Sequence, residues 1–114
     1  MHFRPAMVSI ALLVGAVVLS APADVASLDC ARPSLPSEMA ICNSADLGEL
    51  DEHMTQTYVN LTTDGPGWAA RQIQSEQSFW LAQRNLCGYD KDCIANSYQR
   101  RFGRLDYWQV RLGF

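Results

Sequence analysis

The chain has 114 residues, with 12 acidic residues, nine lysines or arginines and a formal net charge of −3 at pH 7. This length has room for one small domain. The basic residues are few and mixed with acids, whereas nucleic-acid interfaces need a strongly basic face. We therefore expect a single small domain that does not bind nucleic acid.

Residues 1–23 have the pattern of a cleavable signal peptide. A basic start precedes an apolar run at residues 7–19, and Ala-Pro-Ala at 21–23 supplies the small residues of a cleavage site. The run is shorter than the roughly 20 residues of a membrane-spanning helix, although an uncleaved signal anchor is the alternative. An acidic residue before Cys30 does not fit a lipid-attachment site. We expect a mature domain over residues 24–114, periplasmic or secreted, with no stable membrane anchor.

The first two predicted helices follow this segment. A short helix is predicted to start at residues 34–37, with a serine cap and Glu38 in its first turn, and to end near Cys42. Ser44 is the cap candidate of the second helix, whose apolar residues recur every three or four positions to about Thr62. The connection between the two predicted helices is therefore only one or two residues long.

Two longer helices are predicted after the helix-breaking Asp-Gly-Pro-Gly sequence at residues 64–67. The third runs from about Trp68 to Leu86, and a tight loop follows with Asp90 or Asp92 as a cap. The fourth carries its apolar residues on one face: Ile94, Tyr98, Phe102, Leu105 and Leu112. No strand-like alternation occurs after the signal, so the predicted fold is all-α, a small bundle of about four helices.

The four cysteines indicate disulfides, because an exported chain meets oxidising conditions. Four cysteines permit three pairings. We favour Cys30–Cys42 and Cys87–Cys93, since each pair is close in sequence and would tie a helix to its adjoining loop. A zinc site is the alternative, but only His53 remains after residue 23 and no C-x-x-C spacing occurs. We expect two disulfides and no metal.

Four polar residues fall on helix faces that otherwise carry apolar side chains: Asp51, Gln77, Arg84 and Arg101. Charges that point into a core need partners. We therefore predict a shared structural network in which Asp51 contacts Arg84 or Arg101, with Gln77 taking part. A ligand-binding role for these residues is the alternative.

Catalysis is not indicated. The only histidine after the signal, His53, lies on a polar helix face without a nucleophile beside it, and no acid–base pair is isolated among apolar residues. No glycine-rich phosphate loop or zinc-protease motif occurs. We expect a protein that is not an enzyme and that uses no cofactor.

Charge is distributed unevenly along the chain. Residues 24–67 carry eight acids and one base, and residues 68–114 carry four acids and seven bases. The acidic half could attract a basic partner, with these candidate binding residues: Asp46, Glu49, Glu52 and Asp64. The alternative is that the two halves attract each other within the molecule.

Together these residues resemble the LprI-type lysozyme-inhibitor family of small exported bacterial proteins. The matching positions span residues 28–105 in order: Leu28-Asp29-Cys30, Pro36, Glu38, Ile41-Cys42, Leu50-Asp51, Met54, Tyr58, Gln77, Trp80-Leu81, Arg84, Cys87, Cys93, Tyr98, Arg101 and Leu105. Asn85 stands where the family pattern has aspartate, and Ala45 where a helix-starting proline is common. The resemblance implies a helical disulfide-linked domain and, for part of the family, inhibition of lysozyme.

Two functions follow as expectations. The resemblance implies c-type lysozyme, a basic enzyme, as the partner that the acidic candidates would attract. The alternative is a periplasmic interaction or scaffold module that binds another envelope protein through exposed aromatic residues of the tail: Tyr107, Trp108 and Phe114. These aromatic residues would otherwise fold back over the core.

Overall fold

The computed structural model describes residues 28–114 and contains four helices in that range. They are α1 (Pro36–Cys42), α2 (Ala45–Asp64), α3 (Gly67–Asn85) and α4 (Lys91–Leu112). The prediction of an all-α bundle is confirmed. None of these helices is long and apolar enough to cross a membrane. The predicted signal peptide, residues 1–23, lies outside the described residues.

Polar side chains mark the starts of α2 and α4, as expected. The Ser44 hydroxyl accepts a hydrogen bond from the Leu47 amide at 3.3 Å, and the Asp90 carboxylate accepts one from the Cys93 amide at 3.1 Å. Each bond satisfies an amide that has no partner within its helix. Helix α2 ends at Asp64, and Gly65 of the breaker sequence is its C-cap.

The start of α1 differs from the prediction of a serine cap. Its N-cap is Leu35, which forms no side-chain capping bond, and Pro36 occupies the start of the helix. Proline suits this position because its φ is helical and the amide hydrogen it lacks would have no helical partner. Ser34 lies before the helix, and its backbone amide donates a hydrogen bond to Glu38 Oε2 at 3.1 Å.

Both favoured disulfides are present. Cys30–Cys42 joins the segment before α1 to the end of α1, and Cys87–Cys93 closes the loop between α3 and α4. In the chain-entropy model, closures of this length stabilise the fold by about 2–3 kcal/mol each. One disulfide therefore holds the segment before α1 against that helix and the other restrains the connection between α3 and α4, in a domain whose core is small.

The core lies between α2, α3 and α4, and α1 contacts all three. Its largest fully buried side chain is Trp108, which is 1% exposed. The expectation that Trp108 belongs to an exposed tail is therefore wrong, because it follows Leu105 by three positions and continues the core face of α4. Tyr107 and Phe114 are about half exposed, as the tail hypothesis requires.

Candidate functional site

A buried polar cluster joins α2, α3 and α4. The Tyr98 hydroxyl donates a hydrogen bond to Asp51 Oδ1 at 2.7 Å and accepts one from Arg84 Nη1 at 3.3 Å. Arg84 Nη1 also lies 3.8 Å from Asp51 Oδ1. The predicted contact between Asp51 and Arg84 is thus present, and Tyr98, expected only as an apolar residue, connects the two.

Burial and mutual contact shift the pKa values of Asp51 and Tyr98 in this cluster. Burial raises the pKa of Asp51, and the hydrogen bond from Tyr98 and the charge of Arg84 offset this effect only in part. Burial and the neighbouring Asp51 carboxylate raise the pKa of Tyr98. The phenol therefore remains protonated and donates its hydrogen to the carboxylate.

A second polar cluster surrounds Arg101. Its Nε donates to Gln77 Oε1 at 2.8 Å, and its Nη2 donates to the Ile73 carbonyl at 3.4 Å. Gln77 in turn donates to Met54 Sδ at 3.2 Å. Burial lowers the pKa of Arg101, and the charge of Glu76 acts in the opposite direction. The four predicted polar core residues are thus buried, but Asp51 contacts Arg84 whereas Arg101 contacts Gln77.

Glu76, which was not among the predicted polar core residues, also pairs with arginines of α4. This carboxylate accepts hydrogen bonds from Arg104 and from Trp108 Nε1, the latter at 2.9 Å, and lies 3.8 Å from Arg101 Nη1. Burial alone would raise its pKa, but the bonds from Arg104 and Trp108 outweigh burial and lower it. Helical spacing gave no signal for this role, because Glu76 is only partly buried and its partners come from another helix.

Within each of these clusters, the charged side chains contact groups of opposite charge. The His53 side chain is exposed and its ring lies 5.0 Å from that of Phe102. Over residues 28–114, no three His, Cys, Asp or Glu side chains are grouped so that they could hold a metal ion. The hydrogen bonds of the buried clusters connect α2, α3 and α4 to one another.

The acidic candidates lie on the outer surface. Asp46, Glu49 and Glu52 are exposed residues of α2, and Asp64 is exposed at its end. Asp64 is 12 residues beyond Glu52, which corresponds to about 18 Å along a helix, so it does not join the other three. We call Asp46, Glu49 and Glu52 the acidic face.

No residue of the acidic face forms an ion pair within residues 28–114. The arginines that do form ion pairs contact other carboxylates: Arg84 contacts Asp51, and Arg101 and Arg104 contact Glu76. The ion pair between Asp51 and Arg84 joins the acidic half of the chain to the basic half, and the three acids of the acidic face take no part in it.

The chain is similar to Lipoprotein LprI of Mycobacterium tuberculosis (strains H37Rv and CDC 1551) and of Mycobacterium bovis. The identity is 30% over 110 residues, which cover 84% of this chain and 54% of each relative. The chain belongs to an LprI-like family. It spans about half the length of the curated relatives it matches. No family model matches the chain, and no solved structure matches it.

The positions that carry the LprI-like resemblance lie mainly in the core and the disulfides. Asp51, Gln77, Arg84 and Arg101 are all less than a tenth exposed. At the departure from the pattern, Asn85 Oδ1 accepts hydrogen bonds from Arg84 Nε at 3.3 Å and Nη2 at 3.0 Å. The amide oxygen thus makes the contacts that a carboxylate oxygen would make. These positions contribute to the core and the disulfides of this chain, and a fold does not by itself specify a function.

Proposed function

We propose that this chain is an exported, non-enzymatic binding protein that inhibits c-type lysozyme through the acidic face. The observation that carries the proposal is that Asp46, Glu49 and Glu52 are exposed on one helix and form no ion pair within the described residues. Unpaired carboxylates on a surface attract a basic partner and raise the rate of association. The resemblance of the chain to the LprI-type lysozyme-inhibitor family, which implies inhibition of lysozyme for part of that family, supports the proposal.

The helix beneath the acidic face is held firmly. Leu47, Met54, Tyr58 and Leu61 place the opposite side of α2 in the core, each no more than 4% exposed. A rigid helix loses little conformational entropy when a partner binds. The fold therefore fixes the backbone positions from which the three acidic side chains extend.

The buried titratable groups favour binding over catalysis. Asp51, Arg84 and Tyr98 contact one another, and Glu76 is held by Arg104 and Trp108. A general acid or base must reach a substrate proton. Groups already occupied by such partners suit a structural role.

The test is residual lysozyme activity on a cell-wall substrate, titrated with disulfide-intact protein of residues 24–114. Dose-dependent inhibition that is lost on reduction is expected. The triple variant Asp46→Asn/Glu49→Gln/Glu52→Gln should slow association about tenfold at low salt, and added salt should narrow the difference. The control is Asp106→Asn, which removes an exposed acid of α4 and should leave association unchanged.

The outcomes test separately whether the protein inhibits lysozyme and whether it does so through the acidic face. No inhibition of several lysozymes at large molar excess would refute lysozyme inhibition. Inhibition that is insensitive to both the triple variant and salt would retain the function but exclude the acidic face as its contact surface.

A second function, an interaction module for another envelope protein, is favoured by the aromatic residues near the end of α4. Trp68 and Tyr107 are about half exposed, and their rings lie 6.1 and 5.5 Å from that of Trp108. Exposed aromatic residues often anchor interfaces. A photo-crosslinking residue in place of Tyr107 should then form a specific adduct in cells, whereas the same residue in place of exposed Asn60 should not.

A further inference from the structure

An open groove of about 520 Å³ lies between α3 and α4, away from the residues of the acidic face. Phe79 and Trp80 supply apolar surface from α3, and Arg100, Arg101 and Arg104 line it from α4. The volume is within the range of small-molecule sites, about 300–1,000 Å³. Its lining along α3 extends from Ser75 to Gln83, a length of about 12 Å in a helix.

Of the two apolar residues of this groove, Trp80 belongs to the core and Phe79 does not. The Phe79 side chain is 67% exposed, whereas the neighbouring Trp80 is 6% exposed and donates from Nε1 to the Ser97 carbonyl at 2.8 Å. Covering an exposed aromatic ring removes apolar surface from water, which is favourable. Phe79 thus offers binding energy that folding does not use.

The charge of the groove is positive. Its one carboxylate, Glu76, accepts hydrogen bonds from Arg104 and lies 3.8 Å from Arg101 Nη1. Arg100 is exposed and forms no ion pair within residues 28–114. Three guanidinium groups against one carboxylate leave an excess of two positive charges. An anion would therefore be attracted to the groove.

We propose that the groove binds a small amphiphilic carboxylate, whose anionic group contacts Arg100 and Arg104 and whose apolar part covers Phe79. Planar guanidinium groups match the geometry of a carboxylate. The short length of the groove suits a small ligand, because an extended peptide would continue beyond it. This site is independent of the proposed lysozyme inhibition.

The test is calorimetric titration of the disulfide-intact protein with sodium decanoate below its micelle-forming concentration. Saturable binding of one decanoate per chain is expected, with amide shifts in nuclear magnetic resonance spectra confined to residues 75–83 and 100–104. Decanol and decyltrimethylammonium, which share the chain but not the negative charge, should bind at least about tenfold more weakly.

Two variants of exposed residues test the two halves of the site without disturbing the core. Arg100→Gln and Phe79→Ser should each weaken decanoate binding about tenfold. The matched controls are Arg111→Gln, an exposed arginine of α4 outside the groove, and Leu86→Ser, an apolar residue that is 87% exposed. Both controls should bind decanoate as the unchanged protein does.

Several results would overturn the proposal. These are the absence of saturable binding, equal binding of the cationic analogue, or unchanged affinity in both groove variants. Binding of an acidic peptide without binding of decanoate would equally contradict a small-ligand site. The acidic-face triple variant should bind decanoate normally, and Arg100→Gln should inhibit lysozyme normally, so the two proposals fail separately.

Discussion

Tyr98 donates a 2.7 Å hydrogen bond to Asp51 and thereby links α4 to α2 inside the core. Removing the hydroxyl in Tyr98→Phe retains the ring but leaves the Asp51 carboxylate and the Arg84 guanidinium without their shared partner. Because buried polar groups are costly when unsatisfied, we expect the free energy of unfolding to fall by about 1–3 kcal/mol. Denaturant unfolding measures this loss, and an unchanged m-value would show that the variant differs in stability alone.

The matched control is Tyr107→Phe, which removes the hydroxyl of a tyrosine that is 47% exposed. It should change stability by no more than about 0.5 kcal/mol. Equal losses in the two variants would contradict a special role for the buried hydroxyl.

The two carboxylates with shifted pKa values make opposite contributions to stability in acid. The pKa of Asp51 is raised above 3.8, so its stabilising contribution is complete below that pH and is lost as pH rises through its folded-state pKa. The pKa of Glu76 is lowered below 4.5, so its contribution is present above that pH and is lost as pH falls through its folded-state pKa.

The prediction concerns the loss of stability between pH 7 and pH 3. Asp51→Asn should steepen this loss, because protonation of Asp51 raises the free energy of unfolding as the pH falls and the variant lacks this contribution. Glu76→Gln should flatten it for the opposite reason. Unfolding free energies at several pH values give the slopes, and identical slopes in both variants would refute the assignment.

Two glycines should respond to alanine in opposite directions. A Cβ at Gly65 would collide with the Leu61 carbonyl oxygen, so the turn after α2 must shift. A Cβ at Gly103 meets nothing within 4 Å on the exposed side of α4. We expect Gly65→Ala to destabilise by about 1–3 kcal/mol and Gly103→Ala to stabilise by about 0.5–1 kcal/mol. Thermal unfolding of the two variants measures both changes in stability. A Gly65→Ala variant as stable as the unchanged protein would exclude the collision.

The disulfides should differ modestly in their contributions. Their sequence separations are 12 for Cys30–Cys42 and 6 for Cys87–Cys93. The chain-entropy model then predicts losses of about 3 and about 2 kcal/mol when each pair is replaced by alanine. Unfolding of the two double variants, without reductant, tests this. A negligible loss in either would show that its closure does not restrict the unfolded chain.

Helical spacing was enough to predict the four helices and the inward orientation of Arg84, which is 3% exposed. It could not predict that Tyr98 would connect Arg84 to Asp51, because a helical face does not specify which residue of another helix it meets. The same limit concealed Glu76, whose partners Arg104 and Trp108 lie on α4.

Trp108 is a different case, since the sequence contained the signal. It follows Leu105 by three positions and Tyr98 by ten, both consistent with the core face of α4. Of the two alternatives for this residue, an exposed tail or a return over the core, the second is correct. The unpaired state of the acidic face was not predictable either, because it depends on where the arginines of α3 and α4 find their partners.

Asn85 also accepts a hydrogen bond from the Ser37 hydroxyl at 3.0 Å, which extends the polar contacts into α1. An unbroken path of such contacts therefore visits every helix of the bundle through Ser37, Asn85, Arg84, Tyr98 and Asp51. A helix of seven residues, the length of α1, does not persist alone in water. The domain should accordingly unfold as a single cooperative unit, so that a change that destabilises α1 also destabilises α4.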